Sequence, residues 1–80
     1  MHELAVAESL VSIIEETAAG RRVVKVTLEV GKLTCVSVEA LSFSFDLAAE
    51  GTAAHGAELE VRRTPGDALN LKSMELEETS

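Results

Sequence analysis

The chain has 80 residues, enough for one domain with a thin core, and carries a formal net charge of −7 at pH 7. An apolar fraction of 46% excludes a disordered chain, and its only aromatic residues are two Phe. Few basic residues and almost no rings for stacking on bases argue against a nucleic-acid partner, since phosphate binding needs clustered Lys and Arg.

The chain also lacks the marks of membrane insertion and secretion. No apolar run reaches the roughly 20 residues that span a bilayer, and no basic region followed by an apolar one opens the sequence as in a secretory signal.

Cys35 is the sole cysteine, so we expect no internal disulfide and no Cys-based zinc site. A lone Cys beside Val36 is typical of a small buried or half-buried filler. We therefore expect a cytoplasmic protein without a membrane partner.

The first predicted element is a helix from Glu3 to Ala19, followed by Gly20 as its terminator. Its apolar residues recur at helical spacing, and the stripe predicted to be buried consists of Leu4, Ala7, Leu10, Val11, Ile14 and Ala18. Glu15 and Glu16 oppose the helix dipole near the carboxyl end, so this helix depends on tertiary packing.

The segment from Arg22 to Val30 alternates between apolar and polar residues, which predicts a strand with one face on the core and the other in water. The inward residues are Val24, Val26, Leu28 and Val30. A second helix is predicted from about Val38 to Ala49, with Ser37 as its N-cap and Gly51 as its terminator. Its buried stripe would comprise Val38, Leu41, Phe45 and Ala48.

Two further strands complete the chain. The first covers Ala57 to Arg63 with Leu59 and Val61 inward, and a tight turn follows at Thr64-Pro65-Gly66-Asp67. The last strand, Leu69 to Glu77, changes the parity of its apolar residues, which indicates a bulge near Ser73 and favours a sheet edge.

The resulting order, α-β-α-β-β, predicts an α+β fold with two helices packed on one face of a three-stranded sheet. The strand-helix-strand portion is a candidate for a right-handed crossover that makes a parallel pair. The tight turn makes the last two strands antiparallel, and neighbours if it closes a true hairpin.

Met1, His2 and Glu3 form the candidate metal site. The α-amino group, the amide nitrogen of His2 and its ring nitrogen could close two fused chelate rings on one ion. Planar nitrogen-rich sets of this kind suit Ni(II) or Cu(II) rather than Mg, Ca or Zn. His2 is bulky, so we expect the initiator Met1 and its amine to be retained. The alternative for three residues alone is a frayed terminus with a solvated His beside a helix Glu.

The remaining sequence offers little other chemistry. Each Gly is an isolated terminator, so there is no phosphate-binding loop, and no Ser-His-Asp or Cys-His arrangement suggests itself. Glu58 and Glu60 share the outward face of a strand, which indicates a solvated face rather than an acid/base pair. His55 lies in a loop, where it is either simply exposed or a donor to a metal in another molecule.

Several segments resemble the HypA/HybF family of hydrogenase maturation factors, which deliver nickel and in some cases serve urease. The resemblance is collinear over nearly the whole chain and is carried by Met1-His2-Glu3-Leu4, Glu15-Glu16, the run from Val26 to Leu33, the run from Glu39 to Phe45, Glu50-Gly51-Thr52, the run from Gly56 to Glu60 and the run from Leu71 to Leu76.

The resemblance implies a nickel-binding metallochaperone domain, not an enzyme, with Met1, His2 and Glu3 supplying the ligands for Ni²⁺, backbone amides included. It also implies two protein partners, a GTPase and the hydrogenase large subunit. Some members add a carboxylate after the Gly of the first strand. The matching position is Ser37, which cannot be an anionic ligand, so the fourth donor is open between Glu3, a water and a partner's side chain.

One departure from the family is large. Family members carry a zinc domain with two Cys-x-x-Cys pairs between the second and third strands, and residues 64–68 form only a short turn in its place. We therefore expect a single nickel-binding domain over 1–80, without zinc. The alternative is an interaction or self-associating module without productive metal delivery, forming homo-oligomers through a strand edge or a domain swap.

Overall fold

We describe a computed structural model of the protein, which covers residues 3–78. The elements are helix α1 (Glu3–Ala18), strand β1 (Val23–Gly31), a single 3₁₀ turn (Lys32–Thr34), helix α2 (Val38–Ala49), strand β2 (Glu58–Thr64) and strand β3 (Leu69–Leu76). The predicted order is confirmed, and every boundary lies within one residue of its prediction. No helix among these residues is long and apolar enough to cross a membrane.

The sheet has the order β2-β1-β3, with β1 in the centre. Strand β2 is parallel to β1 and β3 is antiparallel to it, so the predicted parallel pair is confirmed. Strands β2 and β3 are antiparallel to each other, as predicted, but each pairs with β1 and they are not neighbours. The turn between them is therefore no hairpin. It is a connection that crosses the end of β1.

Gly31 makes this crossing possible. Its N–H donates to the carbonyl of Ala68 at 2.8 Å, and the N–H of Leu33 donates to the carbonyl of Gly66 at 3.1 Å. A Cβ on Gly31 would lie 2.2 Å from the carbonyl oxygen of Gly66. Only glycine fits at position 31, because the carbonyl of Gly66 lies where a Cβ would be.

The core lies between the helices and one face of the sheet, which confirms the two-layer α+β prediction. The largest fully buried side chains are Phe45, Ile14, Leu28, Leu41, Val23, Val26 and Val30. Leu59 and Val61 of β2 are half-buried against this core, as predicted. The core is thus aliphatic apart from the ring of Phe45.

The inward face of β1 departs from strict alternation at its start. Val24 is exposed and Val23 is buried instead, so the prediction for Val24 is wrong. The cause is a register shift between Val23 and Lys25 in the pairing with β3. A second shift places Lys72 unpaired between Leu71 and Ser73, and it confirms the bulge predicted near Ser73.

Three further burial predictions need correction. Leu4 is exposed because it lies in the first turn of α1, at the margin of the apolar stripe. In α2 the fully buried position near the carboxyl end is Ala49, while Ala48 is half-buried. Cys35 is exposed, not a filler, because it takes a left-handed conformation with φ 59° and leaves Val36 to enter the core.

Candidate metal centre

Glu3 is the part of the candidate site that the structure describes; Met1 and His2 lie outside the described residues. Glu3 begins α1, and its Oε2 accepts a hydrogen bond from the backbone N–H of Ser37 at 3.2 Å. The amino terminus of a helix attracts carboxylates, because its first N–H groups are unpaired and its dipole is positive there. The carboxylate of Glu3 is therefore engaged at the start of α2.

A second carboxylate fixes the relative direction of the helices. Glu15, near the end of α1, accepts at Oε1 a hydrogen bond from the N–H of Ala53 at 3.1 Å, just beyond the end of α2. Glu3 at the start of α1 contacts the start of α2, and Glu15 near the end of α1 contacts the chain just past the end of α2. The two helices therefore run side by side in the same direction. Their amino termini lie at one end of the domain.

That end also receives the carboxyl ends of β1 and β2. Helix α2 carries the chain back from the end of β1 to the start of the parallel strand β2, so both strands finish beside the amino terminus of α2. We call this the metal end, defined by Glu3, residues 32–37 and residues 65–68. The connection at 65–68 therefore lies on the same end as Glu3.

Other donors at the metal end do not form a site with Glu3. The hydroxyl of Ser37 accepts a hydrogen bond from the N–H of Ala40 at 3.3 Å, which confirms the predicted N-cap. The hydroxyl of Ser37 thus caps its own helix, while its amide N–H binds the carboxylate of Glu3. Within residues 3–78 no group of three or more His, Cys, Asp or Glu side chains is arranged to hold a metal ion, and no cavity is found.

His55 lies at the opposite end of the domain. It is exposed in the turns after α2, and its carbonyl accepts a hydrogen bond from the guanidinium of Arg22 at 3.1 Å. The 16 residues of α1 separate the two ends by roughly 24 Å. His55 therefore cannot join a site at the amino terminus of the same chain.

Both carboxylate contacts escaped the sequence prediction. From the residues themselves, Glu15 shows a charge that opposes its helix dipole, and that mismatch is the available signal for a partner elsewhere in the fold. Its amide partner, Ala53, is a backbone group in a loop and has no sequence signature. The same holds for the contact between Glu3 and the amide of Ser37.

A comparison with family models matches residues 1–74 to the family described as "Hydrogenase/urease nickel incorporation, metallochaperone, hypA". The chain is 42% identical over 66 residues to the hydrogenase maturation factor HypA of a Nostoc species, covering 82% of this chain and 58% of that protein. It is 45% identical over 71 residues to HybF of Salmonella typhimurium, covering 85% and 63%. The chain thus spans about three fifths of the length of these relatives.

The fold is also that of a solved structure. The solution structure of the Ni metallochaperone HypA from Helicobacter pylori superposes with a TM-score of 0.83 at 18% identity, over 95% of this chain and 97% of that one. The match to the family model includes residues 1–3, both helices, β1, β2 and the part of β3 up to Met74. The chain belongs to the HypA family of nickel metallochaperones.

Proposed function

We propose that this chain is the nickel-binding domain of a metallochaperone for hydrogenase maturation, with Met1, His2 and Glu3 holding the cargo ion. The observation that carries the proposal is the anchoring of Glu3 by the amide of Ser37 at 3.2 Å. This contact ties Glu3 to the domain, and the family match covers Glu3 and the two residues before it. In the proposed site, Met1 and His2 supply the donors next to this anchored residue.

The donors would be the amine of Met1, the amide nitrogen of His2 and its imidazole, in the planar set that suits Ni(II). The Glu3 carboxylate accepts a hydrogen bond at the start of α2, so we assign Glu3 a contribution through its backbone amide rather than its side chain. A water or a side chain of another protein would complete the site. The function is ligand exchange, so we propose no catalysis. We also propose no resident zinc, because a Cys-based zinc site needs more than the single Cys35.

The proposed partners are a GTPase and the hydrogenase large subunit, with urease as a second target class. Curated relatives are named as hydrogenase maturation factors, and the family description adds urease. Because the chain spans about three fifths of those relatives, delivery to these partners is part of the proposal. The competing function is an interaction or self-associating module, favoured by the two outer strands of the sheet, β2 and β3.

Nickel titration by calorimetry and optical spectroscopy tests the site. We expect the wild-type chain to bind one Ni(II) with the absorption band of a planar low-spin ion. His2→Ala should weaken Kd by roughly a hundredfold, about 2.7 kcal/mol, because one chelate ring is lost. Acetylation of the α-amine should have a comparable effect, since it removes a donor.

His55→Ala is the matched control, because it removes the other imidazole at the far end of the domain. It should leave the nickel affinity unchanged. Far-ultraviolet circular dichroism of all variants verifies that the fold is retained. A Kd for His2→Ala within about twofold of wild type would contradict the proposed site, and absence of nickel binding by the wild-type chain would favour the interaction module.

A further inference from the structure

Helix α2 carries a second apolar face that the domain does not use. Phe43 is 67% exposed and Leu47 is 48% exposed, one helical turn apart on the same ridge. The other ring of the chain, Phe45, is only 1% exposed. A helix on the surface of a domain needs one apolar stripe, so this second stripe is not explained by folding.

The ridge lies opposite the packed face of the helix. At 3.6 residues per turn, Phe43 and Leu47 fall about half a turn from the buried residues Leu41, Phe45 and Ala49. The other large apolar side chains that are exposed lie scattered over α1, β1 and the 3₁₀ turn, and they are Leu4, Ile13, Val24 and Leu33. Isolated exposed apolar residues are ordinary, whereas an aromatic residue beside Leu on one ridge is typical of an interface.

Acidic residues border this ridge. Glu39, Asp46 and Glu50 lie three or four residues from Phe43 or Leu47, and all three are exposed. Helix α2 contains no Lys or Arg. Within the described part of the chain, the ion pairs are those of Lys25, Arg62 and Lys72, which lie on the sheet. The charged residues that α2 and Glu50 place beside the ridge are thus all acidic.

We propose that the outer face of α2, defined by Phe43 and Leu47 with Glu39, Asp46 and Glu50, docks a protein partner that presents an apolar groove edged by Lys and Arg. Charge complementarity selects this partner over a second copy of the chain. If two copies met through this face, the acidic residues of one would lie against those of the other and repel them, in a protein that already carries a net charge of −7.

The position of the face connects docking to the metal end. Phe43 lies six residues from Ser37, so roughly 9 Å along the helix axis from the amide that holds Glu3. A partner seated on Phe43 would therefore extend to the metal end. The link to nickel transfer and the choice of the two probes rest on the proposed function, whereas the exposure of Phe43 and Leu47 and the acids beside them do not.

Calorimetric titration of the chain with two probes, the purified GTPase and the hydrogenase large-subunit precursor from the same organism, tests the proposal. The double substitution Phe43→Ser with Leu47→Ser should weaken Kd for at least one probe by about tenfold or more. Asp46→Lys with Glu50→Lys should weaken the same complex, and so should raising NaCl from about 50 to about 500 mM.

Ile13→Ser is the matched control, because it removes an equally exposed apolar residue from the other helix and should leave Kd unchanged. Circular dichroism and nickel titration of each variant separate a docking defect from unfolding and from loss of the metal site. The proposal is overturned if the wild-type chain binds neither probe, or if the double variant binds within about twofold of wild type. It is also overturned if light scattering shows a dimer that the double variant abolishes.

Discussion

At the scale of single residues, Gly31 shows how one missing side chain permits the topology of the sheet. Strand β1 ends at Gly31, where the connection from β2 to β3 passes over it. The carbonyl of Gly66 occupies the space where a Cβ of residue 31 would lie. Gly66 itself has nothing within 4 Å of its own Cβ position.

The pair gives a matched test. Gly31→Ala should lower the free energy of unfolding by about 1–3 kcal/mol, because the added methyl must displace backbone. Gly66→Ala should change it by no more than about 0.5 kcal/mol, since its Cβ meets open space and its φ lies outside the left-handed region. Urea denaturation measures both. Equal values for the two variants would mean that the connection takes another path.

At the scale of elements, the outer face of the sheet is held by a charge network across β1 and β2. Lys25 Nζ lies 3.2 Å from Glu60 Oε1 and 3.8 Å from Glu58 Oε2, and Arg62 Nε donates to Glu60 Oε2 at 3.0 Å. Hydrogen bonds from Arg62 and then Lys25 lower the pKa of Glu60 below its ordinary value of 4.5. The two acids thus form a solvated face, as their alternation predicts, and not a catalytic pair.

The lowered pKa of Glu60 sets the sign of a pH dependence. The folded protein holds the proton of Glu60 less tightly than the unfolded chain, so the ionised network stabilises the fold above about pH 4.5. This stabilisation is lost as the pH falls through the folded-state pKa. Thermal denaturation should show that Glu60→Gln lowers Tm at pH 7 and that the difference from wild type disappears at acid pH.

Glu58→Gln is the control for this experiment. Glu58 is 72% exposed and lies farther from Lys25, so its substitution should lower Tm less at pH 7. Salt should reduce both effects, because solvent and ions screen exposed pairs. A difference between Glu60→Gln and wild type that persists at acid pH would assign the effect to packing rather than to charge.

At the scale of the whole molecule, the metal end brings together Glu3, the amino termini of both helices and the connection at 65–68. Strands β2 and β3 both depend on β1, not on each other. The connection at 65–68 therefore only has to be long enough to cross β1 from β2 to β3. A longer segment can replace it without disturbing a hairpin.

An insertion tests this independence. Eight Gly/Ser residues placed between Gly66 and Asp67 should lower the free energy of unfolding by roughly 1 kcal/mol, the added loop-closure entropy. The same insertion between Ala53 and Ala54 should cost more, because Ala54 is buried and the amide of Ala53 is held by Glu15. Urea denaturation of both variants measures the difference. A larger loss for the insertion after Gly66 would show that the sheet depends on the short connection.

The sequence by itself determined the helices and strands, because each follows from local periodicity and local capping. Alternation places Val26, Leu28 and Val30 on the core, and the hydroxyl of Ser37 marks the start of α2. The resemblance of several segments to the HypA/HybF family identified the family, and it is the source of the proposed nickel site at residues 1–3.

Only the tertiary structure decided how the elements meet. That β1 lies between β2 and β3, that Val23 replaces Val24 in the core, and that Gly31 lies under Gly66 all depend on pairing between distant segments. The exposure of Phe43 likewise depends on which side of α2 the sheet covers. Local periodicity predicts which residues share a face of a helix or strand. Which of those faces is buried depends on the segments, distant in sequence, that pack against it.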